Sequence, residues 1–486
     1  MKPWRLLGSS PTIWLTLDRL TQQAIWLLLF AILAPILGPK PYGLFTIVMA
    51  FIGFCEMVIV GGAVEALVTI PEATDSHFRT VNLAGVVAAV IAGGAVFAAA
   101  GPIANFFEAP ELEQLFRVLA PLPVISALTA IPVAVLSRHM RFRALALRSI
   151  VGLVASAMIA VALAWYGAGV WALVAQVLAQ RCIELAILWA SAHTRLGFGW
   201  SQSNFRELRG YAFNVIISKS MFWAGSQIPR IILGWYLGAT DLGLFALAGR
   251  LIDITSQVFI VPRSAVARLT LRKFADVPAG FAEEFNLTIR QIAILCFPVC
   301  CGLAALMPIL YTFLGQRWTA GILPAQIMVL TGIPLTFYFC FTAAVLALRE
   351  PQLDSQNAVA INATTAVMIL LTASHGLDAA CAAILAQRVV MMPLALMMLR
   401  RITGLSPFGV IWAQLPILGA AAVMGGIVVL ATPVVERFFS LPLTLLILVM
   451  IGAASYAPLA LLAAPDLVRL LRQRFVATIN PDLGTV

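Results

Sequence analysis

Charge is what this sequence lacks first. Only 11% of its 486 residues are Asp, Glu, Lys or Arg, and 62% are hydrophobic; soluble domains run at about 25% charged and 45–50% apolar. A soluble chain of this composition could not cover its own surface, which sets aside a large soluble enzyme. The seven cysteines (Cys55, Cys182, Cys296, Cys300, Cys301, Cys340 and Cys381) lie in apolar runs and form no CxxC pair. Neither a disulfide framework nor a zinc site is implied, and Cys296, Cys300 and Cys301 read as small core filler. The four histidines, His77, His139, His193 and His375, do not cluster. There is no GxSxG and no P-loop GK[ST], so a nucleophile elbow and a built-in ATPase are excluded. A membrane glycosyltransferase would be expected to carry a large extracytoplasmic loop or an acidic loop motif, and the longest loops here are basic. No short apolar stretch with a small-residue cleavage site follows Lys2 and Arg5, so the first apolar segment is expected to be a retained span.

What is present is a succession of long apolar runs, with a mean hydropathy of +0.98. A spanning helix needs about 20 apolar residues. Fourteen candidates satisfy this, near 12–36, 43–68, 81–105, 115–137, 146–167, 169–192, 211–236, 241–262, 287–314, 323–348, 355–375, 377–399, 409–432 and 440–463. The net charge of +10 is explained by topology rather than by nucleic acid, which is not expected as a partner. One set of loops carries 21 of the 31 basic residues, among them Arg138, Arg141, Arg143, Arg148, Arg268, Arg272 and Lys273. The other set carries Lys40, Arg117, Arg317 and Arg437 beside Glu108, Glu111 and Glu113. Basic loops stay in the cytoplasm, so both termini are expected there. The segment 263–290 is too charged to span and reads as a basic helix at the membrane surface, followed by a turn at Pro278-Ala279-Gly280.

The chain repeats itself. Residues 37–52 read LGPKPYGLFTIVMAFI and residues 237–252 read LGATDLGLFALAGRLI, with Leu37, Gly38, Gly43, Leu44, Phe45 and Ile52 recurring at an offset of 200. Arg19 is matched by Lys219 at the same offset. LAQR occurs at 178–181 and 385–388, and Gly169 recurs as Gly376. The expected fold is therefore all-α and polytopic, with about 14 transmembrane helices in two parallel six-helix lobes plus two C-terminal helices. The domains read as 1–200, 201–405, the two extra helices at 406–463 and a cytoplasmic tail at 464–486.

Ionisable residues inside a bilayer cost roughly 2.5–3.5 kcal/mol each, and they tend to face a wet interior. Spans one, two, seven and eight hold most of them. Lys219, Trp223, Gln227 and Arg230 step by four, four and three, which places them on one helical face; Arg250, Asp253 and Gln257 do likewise. The cations Arg19, Lys219, Arg230 and Arg250 outnumber the midplane acids Glu56 and Asp253, a balance that favours an anionic substrate in a hydrated cavity between the lobes. Arg181 and Glu184 read as a structural pair, and Arg181 and Arg388 as braces.

With the repeat and its LG-x4-GLF turn in view, LGPKPYGLFTIVMAF and LGWYLGATDLGLFALAGRLID resemble the signatures of the polysaccharide transporter branch of the multidrug/oligosaccharidyl-lipid/polysaccharide exporter superfamily. The resemblance covers roughly residues 10–405. It implies no enzyme but a bacterial inner-membrane flippase for undecaprenyl-pyrophosphate-linked oligosaccharides, serving O-antigen, capsule or exopolysaccharide, by alternating access through a V-shaped cavity lined by spans 1, 2, 7 and 8. On that implication Arg19 and Lys219 meet the pyrophosphate and Arg230 and Arg250 take it onward. Glu56 or Asp253 would couple a proton or sodium ion, with no other cofactor and no metal. The partners would be the lipid-linked oligosaccharide, the bilayer, and a polysaccharide polymerase with its assembly proteins. A lipid II flippase and a multidrug efflux transporter of the same superfamily are the alternatives.

Overall fold

The structure, a computed structural model, describes residues 11–69, 74–192 and 197–465. Among them there is no strand. A bilayer offers no water to backbone groups, so each apolar run must satisfy its own hydrogen bonds as a helix. The helices are α1 (Pro11–Leu37), α2 (Pro39–Thr69), α3 (Asp75–Phe106), α4 (Glu111–Leu119), α5 (Leu122–Arg138), α6 (Phe142–Trp165), α7 (Val170–Ala192), α8 (Gln202–Thr255), α9 (Val261–Lys273), α10 (Pro278–Leu314), α11 (Ile322–Leu330), α12 (Gly332–Ala347), α13 (Pro351–Thr372), α14 (Leu377–Thr403), α15 (Pro407–Trp412), α16 (Leu415–Val435) and α17 (Leu441–Ala463). Among the described residues, twelve helical stretches are long and apolar enough to cross a membrane. The expected spans fall on helices, three of them, near 115–137, 323–348 and 409–432, each divided between two. The first lies on α1, whose apolar part is Thr21–Leu37, and the seventh and eighth share one stretch, Trp223–Lys273.

The chain divides into two compact units, Met1–Ala246 and Leu247–Val486. Residues 201–246, which the repeat groups with the second half, thus cluster with the first. In the first unit α1 packs on α6 and α6 on α7, around a core of Leu29, Leu33, Leu37, Ala160, Ala164, Ala172 and Leu173. Alanine and glycine let these helices approach closely, as membrane helices require where lipid supplies no hydrophobic driving force. In the second unit α16 packs on α10 and α17, burying Leu306, Ile309, Val428 and Leu448.

The segment after α8 departs from expectation. Pro278-Ala279-Gly280 is no turn; it opens α10, with Pro278 in the first helical turn, where a missing N–H is no loss. The turn falls at 274–277 instead. Upstream, the helix widens into one π-turn at Ser256–Ile260 before α9. Pro262 cannot donate the usual backbone bond there, and an irregular turn accommodates its ring.

The repeat is visible in the backbone. Gly38 and Gly238, at matched positions, have φ of 75° and 80°, and Gly169 and Gly376 have φ of 56° and 98°. A left-handed residue without a Cβ is what such turns need. Met140 and Arg349, after α5 and α12, are also left-handed, at 54° and 63°. Each half carries the same stitch with the donor exchanged. Arg138 of α5 donates to the Leu67 carbonyl of α2 at 2.7 Å, and Arg272 of α9 donates to the Ala347 carbonyl of α12 at 3.0 Å.

The two copies of the turn clasp one another. A Cβ on Gly43 would fall inside the Ala239 carbonyl group, and a Cβ on Gly243 inside the Pro39 carbonyl group. Glycine at both positions lets backbone lie against backbone, reciprocally across the pair. Gly43→Ala and Gly243→Ala are each expected to destabilise the protein by about 1–3 kcal/mol, as overpacking does. Gly85→Ala, where nothing stands within 4 Å, should cost nothing. Thermal unfolding of the three variants in detergent checks the difference.

Candidate functional site

The face predicted on α8 is present. Arg230 Nη1 donates to Gln227 Oε1 at 3.2 Å, Gln227 Nε2 to Ser226 Oγ at 3.1 Å, and Ser226 Oγ to the Trp223 carbonyl at 2.8 Å. The Trp223 ring lies 5.1 Å from that of Phe54 on α2, and Gly53 leaves room for its indole nitrogen. This face of α8 therefore meets α2 at Trp223, and Lys219 and Arg230 on the same face are both half-buried. Pro229 is carried without a non-helical dihedral; the one break inside α8 is at Gly238. Arg19 is on α1, but its side chain lies outside the described residues. Its neighbour Asp18 accepts from Gln22 Nε2 at 2.8 Å.

Glu56 does not join that face. It pairs with Arg181 of α7 at 3.1 Å and accepts from Ser126 Oγ of α5. Arg181 also reaches Glu184 at 3.7 Å, and Gln180 Nε2 donates to Glu184 at 2.9 Å. Glu184 is nearly buried, and Gly152 of α6 makes room for it: a Cβ there would stand 2.9 Å from Glu184 Cγ. Arg148 of α6 is close enough to feel the charges of Glu184, Arg181 and Asp18. Two acids and one arginine from α2 and α7, with Ser126 of α5 and Gln180 of α7, thus form one charged network inside the first unit. A buried pair is costly to break because the surviving charge is left alone, so this network holds α2 to α7.

Sequence reading placed the Arg181–Glu184 pair but not Glu56 in it, since the partners are 125 residues apart. The available signal was on α7 itself: Gln176, Gln180 and Glu184 step by four, a polar stripe on a helix otherwise apolar. Arg250 and Asp253 belong to the second unit, Arg250 half-buried and Asp253 exposed one turn before the π-turn. Asp253 acts electrostatically on Arg388 of α14, the repeat counterpart of Arg181. Among the described residues, no group of three His, Cys, Asp or Glu side chains could hold a metal ion.

Residues 32–323, more than half of the chain, match the family described as polysaccharide biosynthesis protein. The chain belongs to this family. It is 27% identical over 288 residues to the succinoglycan biosynthesis transport protein ExoT of Rhizobium meliloti (strain 1021), covering 59% of this chain and 58% of that protein. It is 24% identical over 290 residues to the teichuronic acid biosynthesis protein TuaB of Bacillus subtilis (strain 168), covering 58% and 59%. The chain therefore spans less than two thirds of the curated relatives it matches. In fold it is similar to the lipid II flippase MurJ in an inward closed conformation, with a TM-score of 0.76 at 14% identity over 93% of this chain and 99% of that one. It is also similar to an inward-facing multidrug resistance MATE family transporter of the MOP superfamily, with a TM-score of 0.62 at 15% identity over 79% and 95%. The resemblance to a polysaccharide transporter family carried by the duplicated turn is borne out by the family match, and the fold is similar to those of MurJ and a MATE family transporter. The protein is an all-α, multi-pass membrane protein with a transporter fold.

The network makes a measurable claim. Arg181→Met alone should destabilise the protein by about 3–5 kcal/mol, while Glu56→Met with Arg181→Met should recover much of that loss. Thermal or denaturant unfolding of both variants in detergent, closed as a double-mutant cycle, measures the coupling.

Proposed function

We propose that the protein is a flippase that carries undecaprenyl-pyrophosphate-linked oligosaccharides across the bacterial inner membrane, for export as exopolysaccharide, capsule or O-antigen. The observation that carries this reading is the face on α8 that meets α2 at Trp223. It carries two cations, Lys219 and Arg230, at helical spacing with Trp223 and Gln227. A pyrophosphate is the small dianion such a face suits, since cations in a low dielectric bind anions far more strongly than they do in water. Arg19 and Lys219, at matched repeat positions, receive the pyrophosphate near the cytoplasmic end. Arg230, and Arg250 in the second unit, take it onward while the polyprenyl tail stays in lipid.

The topology that accompanies this reading puts both termini in the cytoplasm and the clasped turns on the extracytoplasmic side. Transport then requires the clasp to part and re-form. Coupling to a proton or sodium gradient is assigned to Glu56 or Asp253. The six-helix repeats 1–200 and 201–405, with the added helices at 406–463, are the evolutionary units behind the two compact ones. A polymerase and its assembly proteins would receive the product.

A second reading, lipid II translocation, is favoured by the MurJ-like fold over 93% of the chain. Multidrug efflux is the weaker one, because it calls for an acidic face where α8 offers a basic one. Mass spectrometry of undecaprenyl-linked sugars in a deletion strain separates the three. Accumulated oligosaccharide intermediates support the proposal, accumulated lipid II supports the second reading, and an unchanged pool contradicts both. In the complemented strain, Arg19→Ala with Lys219→Ala should abolish polymer export while leaving the protein in the membrane, and Lys219→Arg should retain export. Normal export from the double variant would overturn the assignment.

A further inference from the structure

Next to the clasp lies a patch that the cation face does not use. Phe106, the last residue of α3, and Trp235 of α8 stack with ring centroids 5.3 Å apart and planes 13° from parallel. Tyr236 stands edge-on to Trp235 at 4.6 Å and 67°. All three are exposed, at 52%, 46% and 45%. They rest on a hidden aromatic floor. Phe106 meets Phe107 edge-on at 5.3 Å, and Phe107 and Phe116, both buried, flank Phe51 at 6.4 and 5.6 Å. The platform is thus held from beneath before any ligand arrives.

An ion pair belongs to the same end of the unit. Lys40 Nζ meets Glu111 Oε1 at 2.6 Å, with both side chains about half exposed, at 56% and 48%. Lys40 lies three residues before Gly43, which abuts Ala239, and Ala239 lies three residues after Tyr236. Phe106 and Glu111 flank a single turn, 107–110. Phe106 thus ends α3, and Trp235 and Tyr236 stand just before the break at Gly238, so the aromatics lie at helix ends near the turns that carry these charges.

Flat apolar faces bordered by an ammonium and a carboxylate are what a pyranose recognises. Its C–H face packs on an aromatic ring, and its hydroxyls donate to carboxylate and accept from ammonium. We infer that Phe106, Trp235 and Tyr236, with Lys40 and Glu111, form a saccharide-binding subsite at the clasped end of the path. It receives the glycan of the lipid-linked substrate while the pyrophosphate is still on the cation face. This inference rests on the proposed flippase function and adds a second contact to it, specific for sugar rather than for phosphate.

The test uses the full chain in cells of its own host, with the cells' own lipid-linked oligosaccharides as the probe. A photoreactive benzoyl-phenylalanine replaces Tyr236 in one strain, Trp223 on the cation face in a second, and exposed Trp412 in a third as background. After illumination, the adducts are read by mass spectrometry for sugar oxonium ions or fatty-acyl fragments. The subsite predicts glycan adducts at position 236, lost with Trp235→Leu and kept with Trp235→Phe. The leucine variant retains bulk and apolar character, so an aromatic that merely anchors the helix end in lipid would not separate the two. Glycan adducts at position 223 with only phospholipid at 236 would overturn the subsite and leave the flippase reading standing. Glycan at neither position would overturn the subsite, and unimpaired export from a strain lacking the protein would overturn the flippase reading.

Discussion

Two backbone segments lie against each other at the duplicated turn because neither Gly43 nor Gly243 has a side chain. Each glycine admits the other copy's carbonyl, Ala239 in one direction and Pro39 in the other. The contact fixes the start of α2 against the second part of α8. The Trp223 ring reaches Phe54, the cations of α8 share that face, and the exposed aromatic platform flanks the same turns. A clasp made of backbone and small residues has little side-chain entropy to lose, so it can part and re-form as one event. That is the behaviour wanted at the end of a transport path.

Away from the clasp, each half is stitched by contacts expensive to break in a membrane. Arg138 caps the end of α2 and Arg272 the end of α12, the same helix pair fastened in either direction. The Glu56–Arg181–Glu184 group ties α2 to α7 through buried charge. An isolated charge in this environment would be costly, and a satisfied network makes its helices move together. Soft contact at the turn and stiff contact within each half are complementary.

Much of this was legible in the sequence, for a physical reason. Bilayer thickness imposes the length and polarity of each span, so all fourteen expected spans fall on helices. The glycines of the repeat announced turns because a left-handed turn without a Cβ needs them, and Gly38, Gly169, Gly238 and Gly376 all adopt that conformation. The partner across each turn was not legible. Gly43 and Ala239 are nearly two hundred residues apart, and no local pattern records that a carbonyl fills the space of a missing side chain. Glu56 misled for the same reason, having no opposite charge within reach on its own helix and a full one on α7. Pro278 was misread because proline opens helices as readily as it breaks them, and the turn before it has no glycine or proline to mark it. The stripe of Lys219, Trp223, Gln227 and Arg230 was read correctly because helical spacing is a local property.

The central claim is that the two turns must separate for substrate to cross. Cysteines placed at Pro41 and Thr240, flanking the clasp, in a background lacking the native cysteines, can be joined by a short cleavable bismaleimide. Polymer export is then measured before cross-linking, after it, and after cleavage of the linker. Export that stops when the turns are joined and returns when the linker is cut is the predicted result. Undiminished export with the turns covalently joined would contradict the account.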